Sequence, residues 1–444
     1  MKFSKYNYLI QQKNFVILYN SFSDKFIGIS PDIAKLFSAS NAISTLETFY
    51  PRSFEQLVNL GCIIDDKFNE LEQIEENYKR AKFENKQLYL MVFPTQDCNL
   101  KCWYCYESHK VGTRMSPVVI ERVHKHLCTL LANGRYNSVR LGFFGGEPLL
   151  DFDKIAFPLA IGAKQICENY NCSFSSFFVT NASLMNEHII NELSLLNPYF
   201  QITLDGDKSR HDKIRIWKKD NGGTYDQILA SIKLLCEKVD MSSFTDDPLI
   251  TLRINYDNQT LSHLSGLLDD LREVNKEKVR IHFERVWQTR SSINEEQQEL
   301  LMKTFAHFIN EGFTITHGVF RRKNIACPSD SNSFYIVNYD GSIHKCNGRT
   351  LNEKTQEGFL SQTGEIHWEA SKYDKRMGLV TYSNPNCLNC KMLPLCMGPC
   401  TQKVLEVGGF SPQICSKHSI DVDIEEYLTS EFEMRYFLEY LANK

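Results

Sequence analysis

Apolar positions recur with two different periods along this chain, and the change of period divides it. Phe3 to Gln11, Asn14 to Tyr19 and Lys25 to Ile29 are short apolar-rich runs separated by polar turns, which predicts three strands. Helical spacing follows. Pro31 to Phe37 has Ser30 as its N-cap and Pro31 in its first turn; Ile43 to Phe49 and Ser53 to Leu60 come next, with Gly61 as a cap. The charged run Asp65 to Lys86 reads as a solvated linker helix. Beyond it strands and helices alternate. The strands are Gln87 to Phe93, Ser138 to Phe144, Ser175 to Val179, Tyr199 to Leu204, Leu249 to Asn255 and Lys278 to Arg285. Between them lie helical patterns: Pro117 to Ala132, Ile155 to Cys167, Asn186 to Leu195, Tyr225 to Cys236 and Leu261 to Val274. Alternation of this kind predicts βαβ units and a parallel sheet. Six strands are too few for a closed eight-stranded barrel, so an open, partial barrel is expected, with ligands at the carboxyl ends of its strands. From about residue 320 the periodicity fades until a closing helix, Ile420 to Leu441. The expected domains are therefore 1–85, 86–318 and 319–444.

Composition narrows the function. Of the 444 residues, 42% are hydrophobic and 23% charged, with a net charge of −4, as in an ordinary folded chain and unlike a broadly basic nucleic-acid binder. No apolar run approaches the ~20 residues of a membrane span, and no signal peptide is visible at the start, so a cytoplasmic protein is expected. The 15 cysteines change the picture. In a reducing compartment, clustered thiols point to metal and not to disulfides.

Cys98, Cys102 and Cys105 form a C-x₃-C-x₂-C set directly after the first strand of the alternating section. Three thiolates can share one iron–sulfur cluster and leave an iron open; a zinc site completed by His109 is the alternative. Gly145-Gly146-Glu147-Pro148 follows the second strand, Thr180-Asn181 the third, and Asp205-Gly206 the fourth, with Arg215 downstream. Together these segments resemble the radical SAM enzymes. The resemblance implies a 4Fe–4S cluster on the three cysteines, with S-adenosylmethionine chelating the open iron. It implies that Glu147 accepts hydrogen bonds from the methionyl ammonium, that Gly145 and Gly146 allow close backbone approach, and that Asp205 and Arg215 contact ribose or carboxylate. Tyr104 would pack near the adenine. Ala182 stands where the family has glycine, which puts that turn in question.

Seven further cysteines follow: Cys327, Cys346, Cys387, Cys390, Cys396, Cys400 and Cys415. In isolation Cys387 and Cys390 would suit a zinc ribbon. The whole spacing resembles the SPASM domain, which carries two auxiliary 4Fe–4S clusters. That implies Cys387, Cys390, Cys396 and Cys415 on the outer cluster and Cys327, Cys346 and Cys400 on the inner one. Some relatives have an eighth cysteine; here Asp330, Ser331, Asn332 and Ser333 fill that stretch.

The resemblance implies an α/β fold: a partial (β/α)6 radical SAM barrel with an N-terminal α+β winged-helix-like leader-recognition domain and a C-terminal SPASM domain. The expected activity is peptide maturation: SAM cleavage and hydrogen abstraction from a ribosomally made precursor peptide to install a crosslink or related change. An electron donor such as flavodoxin or ferredoxin is the second partner; neither nucleic acid nor membrane is expected. One alternative is a sulfatase-maturing enzyme, whose relatives carry an Asp base after the second SPASM cysteine. The residue here is Asn347, which cannot take a proton at neutral pH. The other is a non-catalytic iron–sulfur scaffold.

Overall fold

The computed structural model describes residues 1–442 apart from 40, 242–246, 287, 290–293, 318, 319, 321, 322 and 421. The chain packs as two units: Met1–Glu84, Gly318–Asp330 and Leu379–Lys444 form one, Asn85–His317 and Ser331–Gly378 the other.

In the first unit, the run expected as one strand is two. β1 (Lys2–Phe3) pairs with β5 (Ile63–Ile64), while β2 (Asn7–Gln11), β3 (Val16–Asn20) and β4 (Lys25–Ile29) make an antiparallel sheet in the order β2-β3-β4. Ser30 caps the helix Pro31–Leu36 as expected, accepting from Ile33 N at 3.3 Å. Helices Ala42–Phe49 and Pro51–Asn59 follow, and the apolar side chains of Val16, Leu18, Ile29, Leu46, Leu57 and Ile63 make the core between sheet and helices. The charged linker becomes the helix Glu70–Phe83, and it is not simply solvated. Glu70, Ile74, Tyr78 and Lys82, four apart, form a buried stripe. Tyr6, Ile74 and Tyr78 share one core with Tyr382, Leu393 and Met397 from the C-terminal segment. Burial of Lys82 lowers its pKa, and its Nζ donates to Leu379 O at 2.7 Å. The expected closing helix is present at Ile424–Ala442.

The second unit is built on one sheet. β6 (Gln87–Val92), β7 (Ser138–Phe143), β8 (Ser173–Val179), β9 (Pro198–Thr203), β10 (Ile250–Tyr256) and β11 (Val279–Arg285) are the six expected strands, parallel and in chain order. The sheet goes further than expected at both edges. A helix Glu295–Asn310 leads to β12 (Thr314–His317), parallel to β11. Beyond β6 come β13 (Phe334–Val337), parallel to it, then antiparallel β14 (Ser342–His344), β15 (Gly358–Leu360) and β16 (Ile366–Trp368). These last strands are three or four residues long, too short to show a period. The breaks at 84/85 and 317/318 fall within one residue of those expected, but the segments group into two units instead of three. The 331–378 segment continues the central sheet, and 379–444 shares a core with 1–84.

One face of the sheet is apolar: Leu141, Ile202, Leu252, Ile254 and Ile281 are fully buried, and Phe283 packs on Phe305 and Phe308 of the helix Glu295–Asn310. Parallel strands place every strand-to-helix loop at one end. The cysteine loop, the glycine pair, Thr180 and Asp205 all follow carboxyl ends of strands and so gather there.

Candidate functional site

The cysteine loop leaves β6 through Phe93 to Asp97, and the loop after β7 holds it. Gly146 N donates to Thr95 O at 3.2 Å and Glu147 N to Asp97 O at 2.8 Å. A Cβ on Gly146 would sit 1.9 Å from Asp97 O; one on Gly145, where φ is +113°, would sit 2.4 Å from Thr95 O. The two loops touch because these residues have no side chain. Pro148 is buried next to them. On the other side Lys101 N donates to Ile216 O at 3.0 Å and Lys218 N to Asn99 O at 2.9 Å, so the segment after Arg215 grips the loop.

Cys98 is buried, Cys102 half-buried and Cys105 exposed. Burial pushes the Cys98 thiol up to about 12 and Cys105 up to about 11, and raises Cys102 as well. Such thiols ionise at neutral pH only when a bound metal stabilises the thiolate. His109 Nε2 lies 3.5 Å from Cys105 Sγ. Among the described residues, however, no three Cys, His, Asp or Glu side chains converge as a single ion would require. A four-iron cluster makes no such demand, because each thiolate binds a different iron.

Glu147 is buried. Its Oε1 accepts from Leu149 N at 3.1 Å and Thr180 Oγ1 at 2.6 Å, and its Oε2 from Asn181 N at 2.8 Å. Burial raises its pKa against these donors. A carboxylate has about four acceptor positions, so one remains for a cationic ligand. Asn181 donates to Asn99 Oδ1 at 2.8 Å and accepts from Ser183 N at 2.9 Å, which ties this turn to the cysteine loop. Ala182 adopts φ +59°, the conformation glycine would hold freely, at a cost of about 1–2 kcal/mol.

Asp205 is fully buried. Its Oδ1 accepts from Asn255 N at 2.8 Å and its Oδ2 from the Tyr104 hydroxyl. That hydroxyl accepts from Arg215 Nη1 at 2.7 Å and Asn255 Nδ2 at 3.2 Å. Tyr104 is thus a hub through its oxygen. Arg215 Nη1 lies 3.9 Å from Asp205 Oδ2, and its Nε is buried with no partner among the described residues. His211, buried and held neutral by burial and by Arg215, accepts from Asp205 N at 3.1 Å and reaches Thr224 Oγ1 at 3.1 Å. Thr224 in turn donates to Arg215 O at 2.6 Å, so this strut spaces Asp205 from Arg215. Sequence reasoning missed Asn255 and His211. A polar residue near the end of an apolar strand flags Asn255; nothing local flags His211. A cavity of about 380 Å³ is lined by Trp103 with Arg210, Asp257, Asn258, Gln259 and Thr289.

In the first unit, Cys387 is pushed up to about 12 by burial, with the thiols of Cys396, Cys390 and Cys415 adding to the shift. Burial also raises Cys327, with Asp330 and Cys400 adding to it. Asp330, in the stretch that lacks an eighth cysteine, accepts from Cys327 N at 3.3 Å and from the Thr401 hydroxyl. Cys346 follows β14 in the second unit.

Residues 92–246 match the radical SAM superfamily. An uncharacterized protein of Methanocaldococcus jannaschii is 31% identical over 142 residues, 32% of this chain and 46% of its own length. A cysteine-type anaerobic sulfatase-maturating enzyme of Clostridium novyi is 28% identical over 159 residues, 34% of this chain and 41% of its own. The chain thus spans less than half the length of these curated relatives. Among solved structures, anSMEcpe with bound AdoMet and a peptide has a TM-score of 0.53 at 18% identity, covering 80% of this chain and 99% of that one. SuiB of Streptococcus suis bound to S-adenosylmethionine has a TM-score of 0.52 at 16% identity, covering 93% and 99%. These likenesses show the fold. Within the matched stretch, the cysteine loop, Gly145 to Pro148, Thr180 and Asp205 follow the carboxyl ends of β6 to β9, and Arg215 follows the helix Lys208–Ile214. No helix among the described residues is long and apolar enough to cross a membrane.

Proposed function

We propose that this chain is a radical SAM maturase of a ribosomally made peptide, which reductively cleaves S-adenosylmethionine and removes hydrogen from the peptide to install a crosslink or related change. The observation that carries the reading is the clasp of the cysteine loop by Gly145, Gly146 and Glu147, beside the Tyr104–Asp205–Arg215 network. The residues fit the implied cofactors. Three thiols lie on one loop, Glu147 keeps an acceptor position, and Arg215 Nε is a buried donor with no partner among the described residues. Cys98, Cys102 and Cys105 would hold one 4Fe–4S cluster. Glu147, with Thr180 and Asn181 orienting it, would receive the methionyl ammonium of S-adenosylmethionine; Asp205 and Arg215 would receive its hydroxyls and carboxylate. When bound and reduced, this pair supplies abstraction of hydrogen from an unactivated C–H bond. The chain's own part is to hold these groups at fixed spacing through His211 and Asn255 and to exclude water from them.

Two auxiliary clusters belong to the same reading, the outer on Cys387, Cys390, Cys396 and Cys415 and the inner on Cys327, Cys346 and Cys400. An electron donor such as flavodoxin or ferredoxin would reduce the first cluster. The β2-β3-β4 sheet has two edge strands, and an extended leader adding to one of them would gain backbone hydrogen bonds. A structure of SuiB is described as bound to precursor peptide SuiA, which supports a peptide substrate. The test is coexpression with each short open reading frame found beside the gene, followed by mass spectrometry, together with hydrogen exchange of the first unit. A mass change in the peptide, 5′-deoxyadenosine release and slowed exchange at β2 or β4 are expected. An unmodified peptide with no slowed exchange would refute the reading.

Sulfatase maturation is the second reading, favoured by the Clostridium novyi relative. Asn347 argues against it: no carboxylate stands at that position. Conversion of a cysteine to formylglycine in a sulfatase-derived peptide would decide for it.

A further inference from the structure

Four polar side chains on β10 and β11 remain outside the machinery above or only touch its edge. Arg253 pairs in register with His282, and Asn255 with Glu284. They alternate with Leu252, Ile254, Ile281 and Phe283, which face the helices, so they occupy the opposite face of the sheet near its carboxyl ends. Glu284 Oε2 lies 3.2 Å from His282 Nε2 and 3.9 Å from Arg253 Nη2. Arg253 Nε donates to Asn255 Oδ1 at 2.8 Å, and Asn255 in turn bonds Asp205 and the Tyr104 hydroxyl. The group is therefore joined directly to the network of the radical site.

What this group leaves open defines what it can take. Among the described residues, neither terminal nitrogen of Arg253 donates a hydrogen bond, and Glu284 Oε1 accepts none. The side chains of Arg253 and Glu284 are 29% and 32% exposed, so they sit within the sheet face yet remain reachable. A donor fork and an acceptor of opposite charge thus stand side by side, an ion pair at 3.9 Å that is too long for a hydrogen bond and leaves each with open hydrogen-bonding positions. A carboxylate placed on Arg253 would meet Glu284, and an ammonium placed on Glu284 would meet Arg253. A neutral carboxamide suits both, with its oxygen accepting from the guanidinium and its nitrogen donating to the carboxylate.

We propose that Arg253 and Glu284 form a subsite for a carboxamide of the substrate, an Asn or Gln side chain, held beside the Tyr104 network near the reacting C–H. The inference rests on the peptide reading above and deepens it. His282, hydrogen-bonded to Thr316 at 2.9 Å, is a positioning residue that holds Glu284.

Saturation-transfer NMR on the anaerobically reconstituted full-length protein tests this with three probes: the amides of N-acetylasparagine, N-acetylaspartate and N-acetyllysine. The unaltered protein is expected to prefer the asparagine probe by roughly tenfold, the worth of one hydrogen bond to a charged group. Removing one charge should invert the ranking in opposite directions. Arg253→Gln leaves Glu284 alone and should favour the lysine probe; Glu284→Gln leaves Arg253 alone and should favour the aspartate probe. Near-UV circular dichroism confirms that each variant is folded, and Glu284→Asp, which keeps the charge, should retain the asparagine preference if Glu284→Gln is unstable. An unaltered protein that binds no asparagine probe, or a ranking that is the same in all forms, would overturn the proposal. Release of 5′-deoxyadenosine by the unaltered protein tests the radical reading separately, so either can fail alone.

Discussion

Replacing Gly146 by alanine should open the cysteine loop without touching a cysteine. The added methyl group would lie 1.9 Å from Asp97 O, 2.3 Å from Asp97 C and 2.9 Å from Gln96 C. All three are backbone atoms, so no side chain can swing aside, and the loops must part. Separation breaks the bonds from Gly146 N to Thr95 O and from Glu147 N to Asp97 O. Overpacking of this kind costs about 1–3 kcal/mol, and each lost hydrogen bond about 1 kcal/mol more. The total, about 3–5 kcal/mol, is a large share of the ~5–15 kcal/mol that holds a domain together. The sheet should survive, because β6 and β7 pair over six residues each behind the loop. The expected variant is folded by circular dichroism, has a lower Tm and fails to release 5′-deoxyadenosine after reconstitution and reduction. Its iron content should fall by about one four-iron cluster. An alanine variant with an unchanged Tm, full iron and normal 5′-deoxyadenosine release would show that the two loops do not depend on this contact.

Three further outcomes are expected. His211→Ala removes two buried hydrogen bonds and leaves a hole between Asp205 and Arg215, so Tm should drop by the equivalent of about 2–4 kcal/mol and S-adenosylmethionine cleavage should slow; a variant with normal stability and rate would show that the strut is dispensable. The Glu107 carboxyl is pushed up to about 8 by burial, whereas its unfolded value is ~4.3. Between those values the unfolded chain holds fewer protons than the folded one, so stability falls as pH rises through that window. Urea midpoints should trace this fall, Glu107→Gln should flatten it, and equal slopes in both would contradict the burial argument. Anaerobic reconstitution should give about 12 irons per chain, from three four-iron clusters, and a Cys387→Ser, Cys390→Ser double variant about eight; a value near four with zinc present would remove the auxiliary clusters.

The N-terminal segment shows how the structure changes the choice of experiment. Read as a separate leader-binding domain, residues 1–85 invite deletion. Tyr6, Ile74 and Tyr78, however, pack with Tyr382, Leu393 and Met397, and Ser21 Oγ bonds Lys391 O. Deletion would strip the core from the segment that carries Cys387, Cys390 and Cys396. Hydrogen exchange on the intact chain asks the same question without that damage. This packing was hidden because two of the four buried positions, Glu70 and Lys82, are charged, so no apolar period marks the buried face.

The sequence by itself determined the parts whose cause is local. Six strands, their order and the helices between them follow from periodicity. The cysteine loop, the glycine pair, Glu147 and Asp205 stand at strand ends because short motifs mark the turns there, and Arg215 follows the helix Lys208–Ile214. What only the tertiary structure decided depends on contacts between distant residues. Asn255 joins Asp205 and Tyr104 because β9 and β10 lie side by side, and His211 bridges Asp205 and Arg215 because a helical turn folds back over them. β13 to β16 are too short to carry a period and exist through pairing with β6 and with each other. Ala182 takes a left-handed turn that its own residue type disfavours, held by Thr180 Oγ1 at 3.0 Å. For Asn255 and for β13 to β16 the stabilising partner lies outside the window that periodicity or motif spacing can read.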